Sequence, residues 1–269
     1  HTATWSGRTG RRALCVFELI YFARPDSVLY GQSVHHARVQ MGEALAEQAP
    51  VEADLVMGVP ESGIPAAEGY ARRSGIDFGH GLVKNRYIGR TFIAPTQALR
   101  SSAVRMKLNP LRDNIEGQRL IVVDDSIVRG TTTRSMVRML RDAGAKEIHL
   151  RVSSPPYRWP CFYGMDTGSR GELLAANLTV DEIREYLDVD TLSYLKLDHL
   201  LEATGAVGAG FCSACLTGEY PIEIPANLTK QVLEHPDDPS APERAMPVLG
   251  DDLKRGLPVE EAARLFDRT

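Results

Sequence analysis

Residues 120–125 read Leu-Ile-Val-Val-Asp-Asp. Four consecutive apolar residues, three of them β-branched, suit a strand buried on both faces, and such strands belong to parallel sheets covered by helices on either side. The two carboxylates would stand at the carboxyl end of that strand, where one can face the loop and the other the cleft. Ser126 to Gly130 is a short turn, and Thr131 to Ala143 carries Met136, Val137 and Leu140 at helical spacing before Gly144. Glu147 to Val152 is a further strand. Strand, turn, helix and strand form the unit of an open α/β sheet, whose ligands sit beyond the carboxyl ends of the strands.

The rest of the chain extends this alternation. Residues 14–22 (LCVFELIYF) form an apolar, aromatic run that predicts a strand. Ser33 to Ala49 carries Val34, Ala37, Met41, Ala44 and Leu45 at helical spacing. A short strand over 54–58, the turn Pro60-Glu61-Ser62-Gly63, a helix over 65–74 and a strand over 78–83 follow. Beyond Ser153, Pro155, Pro156 and Pro160 interrupt regular structure. Two short helices are expected there, one opened by a capping box of Thr179 and Glu182, the other near Tyr194 to Ala203. The expected fold class is therefore α/β: an open, mainly parallel sheet with helices on both faces, plus a small C-terminal region.

Charge is unevenly placed. The net formal charge is −4, and the stretch from Ile222 onward holds ten acidic against six basic residues, so residues 1–221 are neutral. Within that neutral part, residues 84–112 contain seven basic side chains and no acidic one. A nucleic-acid patch is a poor fit, because the remainder of 1–221 is net acidic and few aromatics interleave the cations. A cationic flap over an anionic ligand fits better, and a long irregular segment inside a compact domain is commonly a lid. No run of 18 apolar residues is present, so a membrane span is not expected and a cytoplasmic setting is.

The chemistry of residues 121–132 is that of an anion site beside two carboxylates. Amide groups at the start of the 131–143 helix, with the hydroxyls of Thr131 and Thr132, suit a phosphate monoester. Asp124 and Asp125 would repel that phosphate unless they hold sugar hydroxyls or Mg²⁺. A phosphorylated sugar with a second, metal-bound phosphate group satisfies both. The turn 60–63 offers small residues that let backbone amides approach a pyrophosphate. The four cysteines are Cys15, Cys161, Cys212 and Cys215. They are too few for a disulfide scaffold, and the C-x-x-C pair suits a soft metal or cluster site; a Zn²⁺ site or buried thiols are the alternatives.

The stretch from Ile121 to Thr132 resembles the phosphoribosyl pyrophosphate (PRPP) motif of type I phosphoribosyltransferases. Seven segments in order narrow the resemblance: CVFELIYFARPDS at 15–27, SVHHAR at 33–38, the VPESG turn, KNRYIGRTFI, VDDSIVRGTT, SSPPYRWPCFYGMD at 153–166 and CSACLTGEYP at 212–221. Together they resemble the phosphoribosyltransferase half of the glutamine PRPP amidotransferase family.

The resemblance implies several roles. Asp124 and Asp125 would reach the ribose hydroxyls and the metal shell, and Ser126, Ile127, Val128, Arg129, Gly130, Thr131 and Thr132 would take the 5-phosphate. Pro60, Glu61, Ser62 and Gly63 would form the pyrophosphate loop, with Mg²⁺ near Ser62, Asp124 and Asp125. Lys84, Arg86, Tyr87, Arg90, Arg105 and Lys107 would form the catalytic flap. Cys15, Cys161, Cys212 and Cys215 would hold a [4Fe-4S] cluster with a structural role, as in one branch of the family.

The implied organisation is a remnant of an inter-domain connection at 1–12, a phosphoribosyltransferase domain at 13–221 (core about 30–153) and an acidic, Pro-rich tail at 222–269. A glutaminase domain is not expected in this sequence, which opens on His1 and a polar, Gly- and Arg-rich segment. The implied reaction joins ammonia to PRPP, giving 5-phosphoribosylamine and pyrophosphate, the first step of purine synthesis. Purine nucleotides would inhibit, and a homo-oligomer is expected. A PRPP-sensing regulator and a salvage enzyme acting on a nucleobase are the competing readings.

Overall fold

The computed structural model describes residues 13–85, 108–165, 167, 170–205 and 210–224. Two-residue strands come first: β1 (Leu14–Cys15), β2 (Val28–Leu29) and β3 (Gln32–Ser33). Helix α1 (Val34–Gln48) follows, then β4 (Leu55–Gly58), α2 (Ile64–Ser74) and β5 (Leu82–Lys84). Further along the chain come β6 (Leu108–Pro110), the short α3 (Arg112–Ile115), β7 (Arg119–Asp124), α4 (Thr131–Asp142) and β8 (Glu147–Val152). The C-terminal part holds α5 (Leu174–Asn177), α6 (Val180–Leu187), β9 (Thr191–Tyr194), α7 (Leu197–Ala203), β10 (Phe211–Cys212) and α8 (Ala214–Thr217).

The central sheet has the order β4-β7-β8-β9 and is parallel throughout. Leu120, Ile121, Val122 and Val123 are all fully buried, as a strand covered on both faces must be. Each contributes roughly 1.5–3 kcal/mol of burial. Alternation along β7 divides the interior in two. Leu120 and Val122 pack with Met136, Val137 and Leu140 of α4 and Ile183 and Leu187 of α6. Ile121 and Val123 pack on the other face with Val34, Ala37, Met41 and Leu45 of α1 and Ala66, Ala67 and Tyr70 of α2. The expected fold class is what the chain adopts.

Three local expectations are corrected. Residues 14–22 are not one strand: β1 ends at Cys15, and Glu18–Phe22 is a π-helical turn closed by Ala23 N–H donating to the Glu18 carbonyl. The run reads equally as a buried strand or a buried helical turn, and packing decides for the second. Val16, Phe17, Leu19 and Ile20 are buried while Tyr21 and Phe22 stay exposed. Tyr194 belongs to β9, not to the start of a helix; α7 begins at Leu197. The basic segment is not wholly irregular, since β6 pairs antiparallel with β5 on its far side. The capping box stands as expected, with Thr179 and Glu182 bonded reciprocally at the start of α6.

Candidate functional site

Two turns leave neighbouring strands side by side. The first follows β4: the Val59 N–H donates to the Val123 carbonyl at 2.9 Å, the Gly63 N–H donates to the Val59 carbonyl at 3.0 Å, and the Pro60–Glu61 peptide is cis. A side chain on Gly63 would collide with Val123, so glycine permits the turn to lie against the end of β7. Glu61 reaches outward to Lys84, with Nζ 3.5 Å from Oε2.

The second turn follows β7. Alternation sends the half-buried Asp124 to the α4 face and Asp125, 5% exposed, to the α1 and α2 face. Asp125 N–H donates to Asp124 Oδ1 at 3.0 Å, and Ser126 Oγ donates to Asp125 Oδ1 at 2.6 Å. The Ser62 side chain also acts to lower Asp125, and the Val59–Val123 bond holds the two turns together at this edge. Burial and the charge of Asp125 push Asp124 well above the usual carboxylate range. Burial raises Asp125 too, against the hydroxyls of Ser126 and Ser62 and the positive charge of Arg38.

Gly130 caps α4 in the left-handed conformation (φ 77°), bringing the chain round so that the amides of Thr131 and Thr132 open the helix toward the turn. Ile127 is buried beneath it. The turn is braced from outside: Leu174 N–H donates to the Val128 carbonyl at 2.9 Å, and Arg129 pairs with Glu172 at 2.6 Å. The Arg129 guanidinium is therefore held at the rim by a carboxylate. Of the expected flap, Lys84 lies within the described residues; Arg86, Tyr87, Arg90, Arg105 and Lys107 lie outside them.

Sequence reasoning missed three residues. Tyr21, on the π-helical turn and about half-exposed, is raised by partial desolvation and then by the charges of Asp125 and Asp124, which places its phenol near the same edge. Arg38 of α1 is 3% exposed and donates to the carbonyls of Leu19 and Ala23. Tyr194 stands in register with Val152, itself opposite Asp124, so all three share one face at the strand ends. Its hydroxyl is buried without a hydrogen-bond partner among the described residues. Backbone carbonyls that draw in Arg38 leave no mark on a sequence. Tyr194 was legible in the alternation of Thr191–Tyr194 had the strand been recognised.

The four cysteines converge from distant parts of the chain. The parallel β1–β10 pairing sets Cys15 directly opposite Cys212. The Cys215 carbonyl accepts from the N–H groups of Arg158 and Trp159, which draws α8 against the segment that carries Cys161. The Cys161 Sγ accepts from Tyr163 N–H at 3.4 Å. All four are free thiols. Burial raises Cys215 first, and charges on Cys15, Cys161 and Cys212 would raise it further, so the sulfurs lie within electrostatic reach of one another. Among the described residues, no three His, Cys, Asp or Glu side chains close around a single metal ion. No helix among them is long and apolar enough to cross a membrane.

A parallel sheet with two small-residue turns on neighbouring strands, one carrying paired carboxylates into a helix start, defines a type I phosphoribosyltransferase domain. Residues 34–154 match the phosphoribosyl transferase domain family. Within that class the chain is similar to the amidophosphoribosyltransferases. It is 58% identical over 222 residues to the amidophosphoribosyltransferase of Synechocystis sp., covering 82% of this chain and 45% of that protein. It is 55% identical to that of Archaeoglobus fulgidus over 220 residues, 81% of this chain and 48% of the relative. The solved structure of glutamine PRPP amidotransferase from B. subtilis, in complex with ADP and GMP, superimposes with a TM-score of 0.75 at 52% identity, covering 81% of this chain and 49% of that one. The chain thus spans a little under half the length of these relatives.

Proposed function

We propose that this chain carries out the phosphoribosyl-transfer step of an amidophosphoribosyltransferase. Ammonia attacks C1 of PRPP, the C1–N bond forms as the C1–O bond to pyrophosphate breaks, and the nitrogen gives up a proton to solvent, leaving 5-phosphoribosylamine. The observation that carries this reading is the meeting of the two turns at the end of β7: the Val59 N–H donates to the Val123 carbonyl, Gly63 lies against that same oxygen, and Asp125 accepts from Ser126 just beyond it. A ligand with a phosphate at one end and a pyrophosphate at the other spans such a pair of turns.

In this reading the α4 amides and the hydroxyls of Thr131 and Thr132 hold the 5-phosphate. The backbone of residues 60–63 receives the pyrophosphate, while Asp124 and Asp125 orient the ribose hydroxyls. Positive charge develops at C1 as the leaving group departs, and fixed dipoles and carboxylates already aimed at that place supply the main catalytic effect. Lys84 and the cations that follow it in sequence would close over the pyrophosphate and exclude water.

Two inorganic partners fit the residues present. Asp124, Asp125 and Ser62 are hard oxygen donors gathered at one edge and suit Mg²⁺, which would neutralise the departing pyrophosphate. Cys15, Cys161, Cys212 and Cys215 are free soft donors, with Cys15 set opposite Cys212 by the β1–β10 register. Four thiols from three separate segments of the chain suit a [4Fe-4S] cluster in a structural role. The transferase unit of this proposal spans 13–221. Inhibition by purine nucleotides, a homo-oligomer and a cytoplasmic setting complete the proposal, the first supported by the ADP and GMP bound to the B. subtilis relative.

The test is direct. Purified chain with PRPP, Mg²⁺ and a high concentration of ammonium should release pyrophosphate, and titration calorimetry should register PRPP binding. Absence of both would overturn the proposal. Consumption of adenine, guanine or orotate with PRPP would replace it with a salvage activity.

A further inference from the structure

Arg129 is the single cation in the turn 126–130, where a positive charge could grip a phosphate directly. In the structure its Nε, at 3.0 Å, and an Nη, at 2.6 Å, instead converge on Oε2 of Glu172. Glu172 closes the short 3₁₀ turn Arg170–Glu172, and the residues after it continue the contact. The Leu174 N–H donates to the Val128 carbonyl at 2.9 Å. The Leu174 side chain lies against Gly130, where an added Cβ would meet its Cδ2 at 2.6 Å, and it shares a buried cluster with Ile127. Asn177 fixes this brace in turn, donating to the carbonyls of Gly171 and Leu173 at 3.1 and 2.8 Å. Val128, Arg129 and Gly130 are thus held from outside the turn by Glu172 and Leu174.

We propose that Glu172 is a positioning residue for the 5-phosphate, acting through Arg129: the ion pair, with the Leu174 bond beside it, holds the turn in its anion-binding shape before the ligand arrives. The inference rests on the reading of this edge as a PRPP site. Arg129 is then a handle on the turn and not a phosphate ligand. A loop already in its bound shape loses less freedom on binding, and affinity gains by the ordering it saves. The side chains of Arg129 and Glu172 are 49% and 31% exposed, so water screens the pair and its share is modest. The opposite role carries the opposite sign. A Glu172 that competed with phosphate for Arg129 would weaken binding, and its removal would tighten it.

The test compares three probes on wild-type chain, Glu172→Gln and Glu172→Ala: PRPP with Mg²⁺, ribose 5-phosphate, and pyrophosphate with Mg²⁺. Glu172→Ala should weaken PRPP and ribose 5-phosphate alike, by about 3- to 5-fold, the range of a partly exposed ion pair. Pyrophosphate should bind as before, because the 60–63 turn is untouched. Glu172→Gln keeps an acceptor without the charge and should lose less. In an Arg129→Ala background, Glu172→Ala should add no further loss, as expected of residues that act as one unit. Unchanged or tighter binding of ribose 5-phosphate to Glu172→Ala would overturn the proposal, and so would an equal loss for pyrophosphate or a further loss in the double variant. If Glu172→Ala does not fold, Glu172→Gln decides by the same contrast between ribose 5-phosphate and pyrophosphate. A wild-type chain that fails to bind PRPP would instead refute the function on which the inference rests.

Discussion

The α-carbon of Gly63 rests against the carbonyl oxygen of Val123, so closely that an added methyl group would meet that oxygen at 2.5 Å. The same methyl would lie 3.0 Å from the Val59 nitrogen and 3.1 Å from its oxygen. These are backbone atoms in a parallel ladder and cannot swing aside as a flexible side chain would. Gly63→Ala should therefore displace the 60–63 turn from the end of β7 while leaving the sheet formed. Overpacking of this kind costs about 1–3 kcal/mol of stability. Misplacing the turn by an ångström should lower the PRPP-dependent rate on the order of 100-fold. Far-UV circular dichroism and pyrophosphate release measure the two effects; an active, normally stable variant would contradict the packing argument.

Asp124 and Asp125 should trade stability for binding. Each is raised by burial, and Asp124 also by the charge of its neighbour, so the ligand-free protein carries a strained pair. Replacing Asp124 with Asn removes one charge and keeps the shape. The ligand-free variant should melt higher by about 2–4 °C, the shift expected for 1 kcal/mol in a chain of this size. Wild type should gain further thermal stability from PRPP with Mg²⁺, as any ligand of the native state confers, and the variant should lose that gain. Differential scanning calorimetry with and without PRPP distinguishes the two. A variant that melts lower without ligand would show that the pair is not repulsive.

The amino end of β7 offers a clean acid-dependence. Asp54 accepts from the Arg119 backbone N–H at 2.8 Å and from its guanidinium at 2.8 Å, and these bonds pull the carboxyl down from 3.8 to about 2. A carboxylate depressed in the folded state contributes stability that is present above its unfolded value and lost as pH falls through the folded one. The contribution of Asp54 should therefore be complete above about pH 4 and vanish toward pH 2. Urea denaturation across that window should show a shallower pH slope for Asp54→Asn than for wild type. Equal slopes would mean the bonds do not persist in solution.

What the sequence disclosed follows a physical division. Leu120–Val123 was legible because a strand buried on both faces can be only apolar, and the Asp pair announced itself by standing where that run stops. Helices α1, α2 and α4 were legible from spacing. Residues 14–22 were not, because eight apolar and aromatic residues around one Glu satisfy a strand and a buried helical turn equally, and only contact with α1 distinguishes them. Arg38 was hidden more deeply: its partners are the main-chain carbonyls of Leu19 and Ala23, which any sequence would offer. Of the site, the two turns could be read and their meeting at the end of β7 could not, since the bond from the Val59 N–H to the Val123 carbonyl depends on strands β4 and β7 lying adjacent.

The thiols supply the last prediction. Cys15 and Cys212 face each other across the β1–β10 bridge, a two-residue ladder too short to hold the first strand to the C-terminal segment unaided. Burial raises Cys15 and Cys215, so binding a metal must displace protons from thiols that otherwise remain neutral. A [4Fe-4S] cluster would do so and join β1, the 153–165 segment and α8 in one unit. Anaerobically purified chain should contain iron and acid-labile sulfide in equal amounts and show the broad visible absorption of a cluster. Cys212→Ser and Cys215→Ser should lose both and become sensitive to proteolysis in the C-terminal segment, while the central sheet survives. One equivalent of zinc without sulfide would sink the cluster assignment, and unchanged proteolysis in the serine variants would show that β1 and β10 hold together without any metal.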